Sequence, residues 1–158
     1  LRSAKALFNN APDLAAAIGK LIAENDAFKK EIEAVAKEKA ASLKQILVDS
    51  AKDINGVRVV VVRTDSDPTL LRNAAFMLQK EASNFAMIAA FAHEGKPQLM
   101  VMYSADLVAK GHNAGADVKE AAKAILGGGG GQPGLATAGG KNVDGLDEAA
   151  RVLLSKLR

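Results

Sequence analysis

No cysteine occurs in the 158 residues. Neither a disulfide framework nor a thiolate metal site can form, which fits a reducing compartment. Tryptophan is absent as well, and one Tyr and five Phe are the only aromatic residues. The core must be built from Val, Leu, Ile, Ala and Met, and a base-stacking platform of the single-strand-binder kind has few residues to draw on. There is no Asn-x-Ser/Thr sequon. No apolar run approaches a membrane span, and nothing at the start reads as a signal peptide. Histidine is scarce: His93 and His112 lie on different segments, without a partner at metal-ligand spacing, so no zinc site is expected. Strong charge of either sign is also missing. Net charge is +3, with nine basic and eight acidic residues before Gly56 and twelve and ten from there on. Neither part is a basic arm, so contact with a nucleic acid would have to come from a local patch.

What the chain does hold is 49% apolar residues, which excludes wholesale disorder, and fourteen glycines. Five of them are consecutive: Gly127, Gly128, Gly129, Gly130 and Gly131, followed by Gln132-Pro133-Gly134-Leu135-Ala136-Thr137-Ala138-Gly139-Gly140. Such a run costs much backbone entropy to order, and the Pro, the apolar pair and the second glycine pair argue against a slack linker. An ordered glycine-framed loop is expected. Its amides can form an anion-binding nest, and a sugar–phosphate backbone can come close; equally, glycines allow backbone to pack tightly on backbone. The residue types alone leave both readings open.

Two organisational units follow from periodicity. Leu14, Ile18, Leu21, Asn25, Phe28, Ile32 and Val35 are spaced alternately four and three apart, a heptad seam. Asn10 is expected as N-cap with Pro12 in the first turn, and the helix is expected to run over about 12–53, stopping at Asn55-Gly56. Residues 1–8, the globular part or a second chain are candidates to cover the stripe; Asn25 on it either sets register as a buried polar residue or stands partly exposed in a loosely packed stretch. From Val57 the pattern changes. Residues 57–63 read as a central strand; Asp67-Pro68 opens a helix with Leu71, Ala74, Ala75, Leu78 and Ala82 inward. Residues 85–92 and 98–103 pair around Glu94-Gly95-Lys96-Pro97, and a helix over about 115–126 ends at Gly127 as C-cap. Residues 135–138 read as a short edge strand, and Asp144 caps a last helix carrying Leu146, Ala150, Leu153 and Leu157. The expected fold class is α+β: a mixed sheet with flanking helices over 56–158, preceded by a long helix or helical hairpin over 1–55.

The glycine signature, with Ser104-Ala105-Asp106-Leu107-Val108 and Lys110-Gly111-His112-Asn113-Ala114-Gly115 upstream, resembles the C-terminal region of alanyl-tRNA synthetases. There it belongs to the DHH-associated domain, which DHH phosphodiesterases share. Leu21-Ile22-Ala23-Glu24-Asn25 and Lys29-Lys30-Glu31-Ile32-Glu33 resemble the coiled segment before that domain. The resemblance implies binding of the outer corner of tRNA(Ala) in support of aminoacylation and editing, in the cytoplasm, with recognition by shape and backbone. It also implies that ATP, Mg and Zn serve domains of the parent enzyme lying outside this chain, which itself is expected to be non-catalytic and without a cofactor. In the phosphodiesterases a His typically follows the glycines; here Gln132 stands there, which points to the synthetase side. The alternatives are a dimerisation module of the synthetase and the substrate-recognition domain of a DHH phosphodiesterase.

The residues expected to touch RNA are residues 127–131, Gln132, Lys110, Lys119, Lys123 and Lys141. Lys119 and Lys123 share a helix face. Arg72 and Lys80 are further, scattered cations. The dinucleotide pattern read across Gly129, Gly131 and Gly134 arises from poly-glycine and follows a helix where a strand is required. A phosphate-binding loop at Gly140-Lys141 lacks both the earlier glycine, replaced by Leu135, and the Ser or Thr, replaced by Asn142. Ser104, Asp106 and His112 crowd into one turn region, unlike the members of a catalytic triad. The chain opens on Leu1, as expected of a piece of a longer protein.

Overall fold

The computed structural model describes residues 2–63 and 65–158. One compact unit ends at Glu38, and a second spans Lys39–Arg158.

The first unit holds α1 (Arg2–Leu7) and most of α2 (Leu14–Asp49). Asn9 and Asn10 link them in left-handed conformations, at φ 52° and 56°, which asparagine tolerates better than most residues. Asn10 is therefore a turn residue, not the cap. Asp13 takes that role: the Ala16 amide donates to its carboxylate at 2.9 Å. The seam is exposed along this stretch, with Leu21 52%, Phe28 63% and Ile32 67% accessible. Leu7 of α1 is itself 84% accessible and does not cover the stripe; Leu1, part of the segment expected there, lies outside the described residues.

The second unit is built on a six-stranded sheet in the order β1-β2-β3-β4-β6-β5. The strands are β1 (Lys52–Ile54), β2 (Val57–Val62), β3 (Phe85–His93), β4 (Lys96–Tyr103), β5 (Gly128–Gln132) and β6 (Leu135–Gly139). Only β2 and β3 run parallel, joined through α3 (Pro68–Glu81), and every other neighbour is antiparallel. Residues of β3 alternate between two buried faces, as a central strand requires. Phe85, Met87, Ala89 and Phe91 join Leu71, Ala74, Ala75 and Leu78 of α3 and Leu47 of α2. Ala86, Ile88 and Ala90 join Leu107, Val118, Ile125 and Leu153 beneath α4 (Ala105–Ala109), α5 (Ala114–Ala121) and α6 (Leu146–Ser155). The α+β class with a mixed sheet and flanking helices is thus observed.

Several boundaries differ from those the sequence suggests. Helix α2 stops at Asp49, because residues 52–54 pair with β2; Asn55 and Gly56, at φ 53° and 82°, turn that hairpin. Helix α5 ends at Ala121 and continues as turns to Leu126, which carries the left-handed φ of 51° expected for Gly127. Asp144 lies in a 3-10 turn (Val143–Gly145), so α6 starts after it without a side-chain cap. The capping of α3 is as read: the Asp67 carboxylate accepts from the Thr69 amide, with Pro68 at the first position.

The largest difference concerns the glycines. Residues 128–132 are a β-strand, and that strand is the edge of the sheet. Strand β6, expected at the edge, lies between β4 and β5.

Candidate nucleic-acid interface

Glycine has poor strand propensity, so the formation of β5 needs an explanation. A side chain at Gly127 would strike the Gly139 carbonyl oxygen, and one at Gly129 the Thr137 carbonyl oxygen, each closer than real Cβ atoms come. A Cβ at Gly131 would lie 2.5 Å from the Leu135 oxygen. On the helix side, a Cβ at Gly115 of α5 would lie 2.7 Å from the Gly131 oxygen. The alternate glycines of the run therefore permit close approach of β5 to β6, and Gly115 brings α5 down on the strand.

Gly128 and Gly130 face no backbone at such distances. A Cβ at Gly128 would meet nothing within 4 Å, and one at Gly130 would meet only the Lys119 Cε, at 3.3 Å. Both have backbone φ that other residues adopt. The run thus divides by function: three positions serve the fold and two leave bare backbone at the sheet edge. An extended strand turns successive amides to opposite sides, so the nest expected from a glycine turn is not formed. What β5 offers instead is an unpaired strand edge without side chains.

The charges around this edge are sorted by α5. Its two acids near the strand are engaged. The Tyr103 hydroxyl donates to Asp117 at 2.7 Å, and Lys156 donates to Glu120 at 2.6 Å. Burial, and then Asp117, push the Tyr103 phenol far up, so it keeps its proton. The Lys156 hydrogen bond holds Glu120 below the usual carboxylate range. Lys119 and Lys123, by contrast, are exposed and make no ion pair with any described residue. Lys119 extends over Gly130. Lys141 follows β6, its amide donating to the Ile125 carbonyl at 2.9 Å, which anchors it at the start of the strand. Lys110 lies farther off, at the C-cap of α4. It belongs to the loop leading into Ala114, whose amide donates to Pro133 O at 2.8 Å. Gln132 ends the strand and is exposed. Lys119 is the cation brought directly onto the glycines; Lys123 and Lys141 flank them.

Gly130 also borders a cleft of about 280 Å³ between α3 and the β6–β5 end of the sheet. Arg72, Phe76, Gln79, Gln132 and Thr137 line it, with Gly130 and Gly131 at its edge. Sequence reading treated Arg72 as one scattered cation and passed over Phe76. The available signal was that Phe76 falls off the buried Leu71–Ala74–Ala75–Leu78 face.

Ser104, Asp106 and His112 do not assemble a relay. Ser104 is fully buried; its hydroxyl accepts from the Phe85 amide at 3.0 Å and bonds Asp106. Asp106 also takes the Asn84 amide, at 2.8 Å to one oxygen. The Ser104 bond foremost, and then the Asn84 amide, hold its carboxyl below the ordinary range. The His112 ring packs on Tyr103 with centroids 5.3 Å apart. His93 is a surface residue at the end of β3, with Nδ1 3.3 Å from Asp65. No helix among the described residues is long and apolar enough to cross a membrane.

Comparison with known proteins fits this architecture. The DHHA1 domain family matches residues 55–158. The alanine–tRNA ligase of Bacteroides thetaiotaomicron is 50% identical over 95% of this chain, which covers 17% of that protein. The alanine–tRNA ligase of Bacteroides fragilis is 48% identical over 98% of the chain, again covering 18% of the relative. The crystal structure of the C-Ala domain from Aquifex aeolicus alanyl-tRNA synthetase is similar with a TM-score of 0.60 at 27% identity. It covers 68% of this chain and 96% of that one. The chain spans less than a fifth of the curated relatives. With a six-stranded mixed sheet edged by a glycine strand, it belongs to the DHHA1 domain family and is homologous to the C-terminal region of alanyl-tRNA synthetases.

Proposed function

We propose that the chain is the tRNA-binding C-terminal module of an alanine–tRNA ligase. It lays the glycine edge of β5 against the outer corner of tRNA(Ala) and so supports aminoacylation and editing by the parent enzyme in the cytoplasm. The observation that carries this reading is that Gly128 has no steric reason within the chain to be glycine, and Gly130 none beyond the movable end of the Lys119 side chain. A sugar–phosphate backbone approaching the strand supplies one. Lys119, Lys123 and Lys141 neutralise phosphates along that path, Gln132 contacts the RNA at the strand's end, and Lys110 contributes from the neighbouring loop. The module acts without a cofactor of its own; ATP, Mg and Zn belong to domains outside this chain, and the missing synthetase domains are its covalent partners.

The test is a titration of tRNA(Ala) onto the chain across NaCl concentration. Replacing Lys119 or Lys123 by alanine is expected to weaken binding and to reduce the slope of log K against log [salt] by about one each. Unchanged slopes in both variants would remove these lysines from the interface.

A second role is favoured by a separate observation. Leu21, Phe28 and Ile32 on the heptad seam of α2 are more than half exposed. We propose that a second copy of the chain covers that seam, with Asn25 setting register between the two helices.

A further inference from the structure

Resting on the RNA-binding reading, we propose that the cleft between α3 and the β6–β5 end of the sheet receives one unstacked nucleobase of the bound RNA. Phe76 is its stacking surface, and Arg72 with Gln132 reads its edge.

The fold does not ask for Phe76. The buried face of α3 is complete in Leu71, Ala74, Ala75 and Leu78, whereas Phe76 is 45% exposed and turned to the cleft. In a chain with so few aromatic residues, an aromatic ring outside the core is notable. A ring face beside a cleft is the usual seat of a splayed-out base.

The chemistry of the lining agrees. Arg72 is exposed and makes no ion pair with any described residue. It stands where this cleft meets a second one of about 260 Å³ that runs on past Pro68 and Gln98 and also shares Thr137. No acidic residue lines either cleft, so nothing repels a polyanion. Arg72 donates only, while the Gln132 and Gln79 carboxamides both donate and accept, as base edges demand. A volume of about 280 Å³ lies at the lower bound for small-ligand pockets, room for one planar heterocycle and not for a duplex.

Continuity with the glycine edge sets the direction. The Lys119 Cε lies over Gly130, and Gly130 and Gly131 border the cleft. A backbone following the strand thus passes both the Lys119 ammonium and the mouth of the cleft.

The experiment uses the whole 158-residue chain and a tRNA(Ala) transcript, read by fluorescence anisotropy at several salt concentrations. Phe76→Ala is expected to weaken binding roughly ten- to hundred-fold, the range of one lost base–aromatic stack, with the salt slope unchanged. Phe76→Trp is expected to keep parent affinity, and Arg72→Gln to lose affinity. Irradiation of a 4-thiouridine-substituted transcript bound to the chain should attach RNA to the α3 segment carrying Phe76. Thermal melting of Phe76→Ala at the parent's temperature excludes a structural effect. Parent-like binding by Phe76→Ala, or adducts confined to other segments, would overturn the base pocket and leave the RNA-binding module standing. Absence of tRNA binding by the parent chain would overturn the module itself, and the pocket with it.

Discussion

Replacing Gly129 by alanine would press a methyl group into the Thr137 carbonyl and the Ala138 Cα. Backbone of β6 cannot move without disturbing its register with β4, Thr137 on Met100 and Ala138 on Leu99. Gly129→Ala should therefore cost about 1–3 kcal/mol, the range of overpacking a tight site. Urea unfolding checks it; a variant as stable as the parent would mean that β5 does not lie so close to β6. The glycines were legible as important, but not in their division of labour. Five identical residues carry no alternation from which a period could be read, and only the distance to β6 separates Gly129 from Gly128. Phe76 was missed for a similar reason: periodicity marks what is buried and is silent about what an exposed position serves.

At the scale of elements, the α4–β3 junction is held by Asp106, which ties the first turn of α4 to the Asn84 amide and to the Ser104 hydroxyl. Its carboxyl is depressed in the folded protein, so its contribution is present above the unfolded pKa and is lost as pH falls through the folded one. Asp106→Asn is thus expected to be about 1 kcal/mol less stable than the parent at neutral pH, a modest value because solvent screens the group. The difference should close as pH falls below the ordinary carboxylate range. Melting curves across pH 2–8 test this; a pH-independent gap would assign the effect to something other than the carboxylate. Elements with side-chain pattern were readable in advance: β2, β3 and β4 by β-branched and apolar alternation, and α3 by its cap and spacing. Strand β1 was not, since Lys52-Asp53-Ile54 continues an acceptable helical register and becomes a strand only by pairing with β2. Strand β5 was hidden more deeply, because its pairing partner, and not its own residues, makes it extended.

On the scale of the whole molecule, the seam of α2 and the edge of β5 belong to different units and have separate tests. If a second copy covers the seam, sedimentation should show a concentration-dependent dimer. Phe28→Glu, placing a charge on the stripe, should then convert it to a monomer without altering the melting of the sheet domain. A parent chain that stays monomeric at every concentration would dismiss that role and leave RNA binding untouched. The α+β class was legible because strand and helix patterns alternate strongly after Val57. The exposure of the seam was not, since a heptad says that a stripe seeks cover and not what provides it.

The central claim is that bare backbone at the sheet edge exists for RNA and not for the fold, and Gly128→Ala isolates it. With φ compatible with alanine and no atom within 4 Å of the new methyl group, the variant should be as stable as the parent or gain about 0.4–1 kcal/mol. Its affinity for tRNA(Ala), measured beside the parent in the same titration, should fall on the order of tenfold. Parent-level affinity in a fully folded Gly128→Ala would contradict the account.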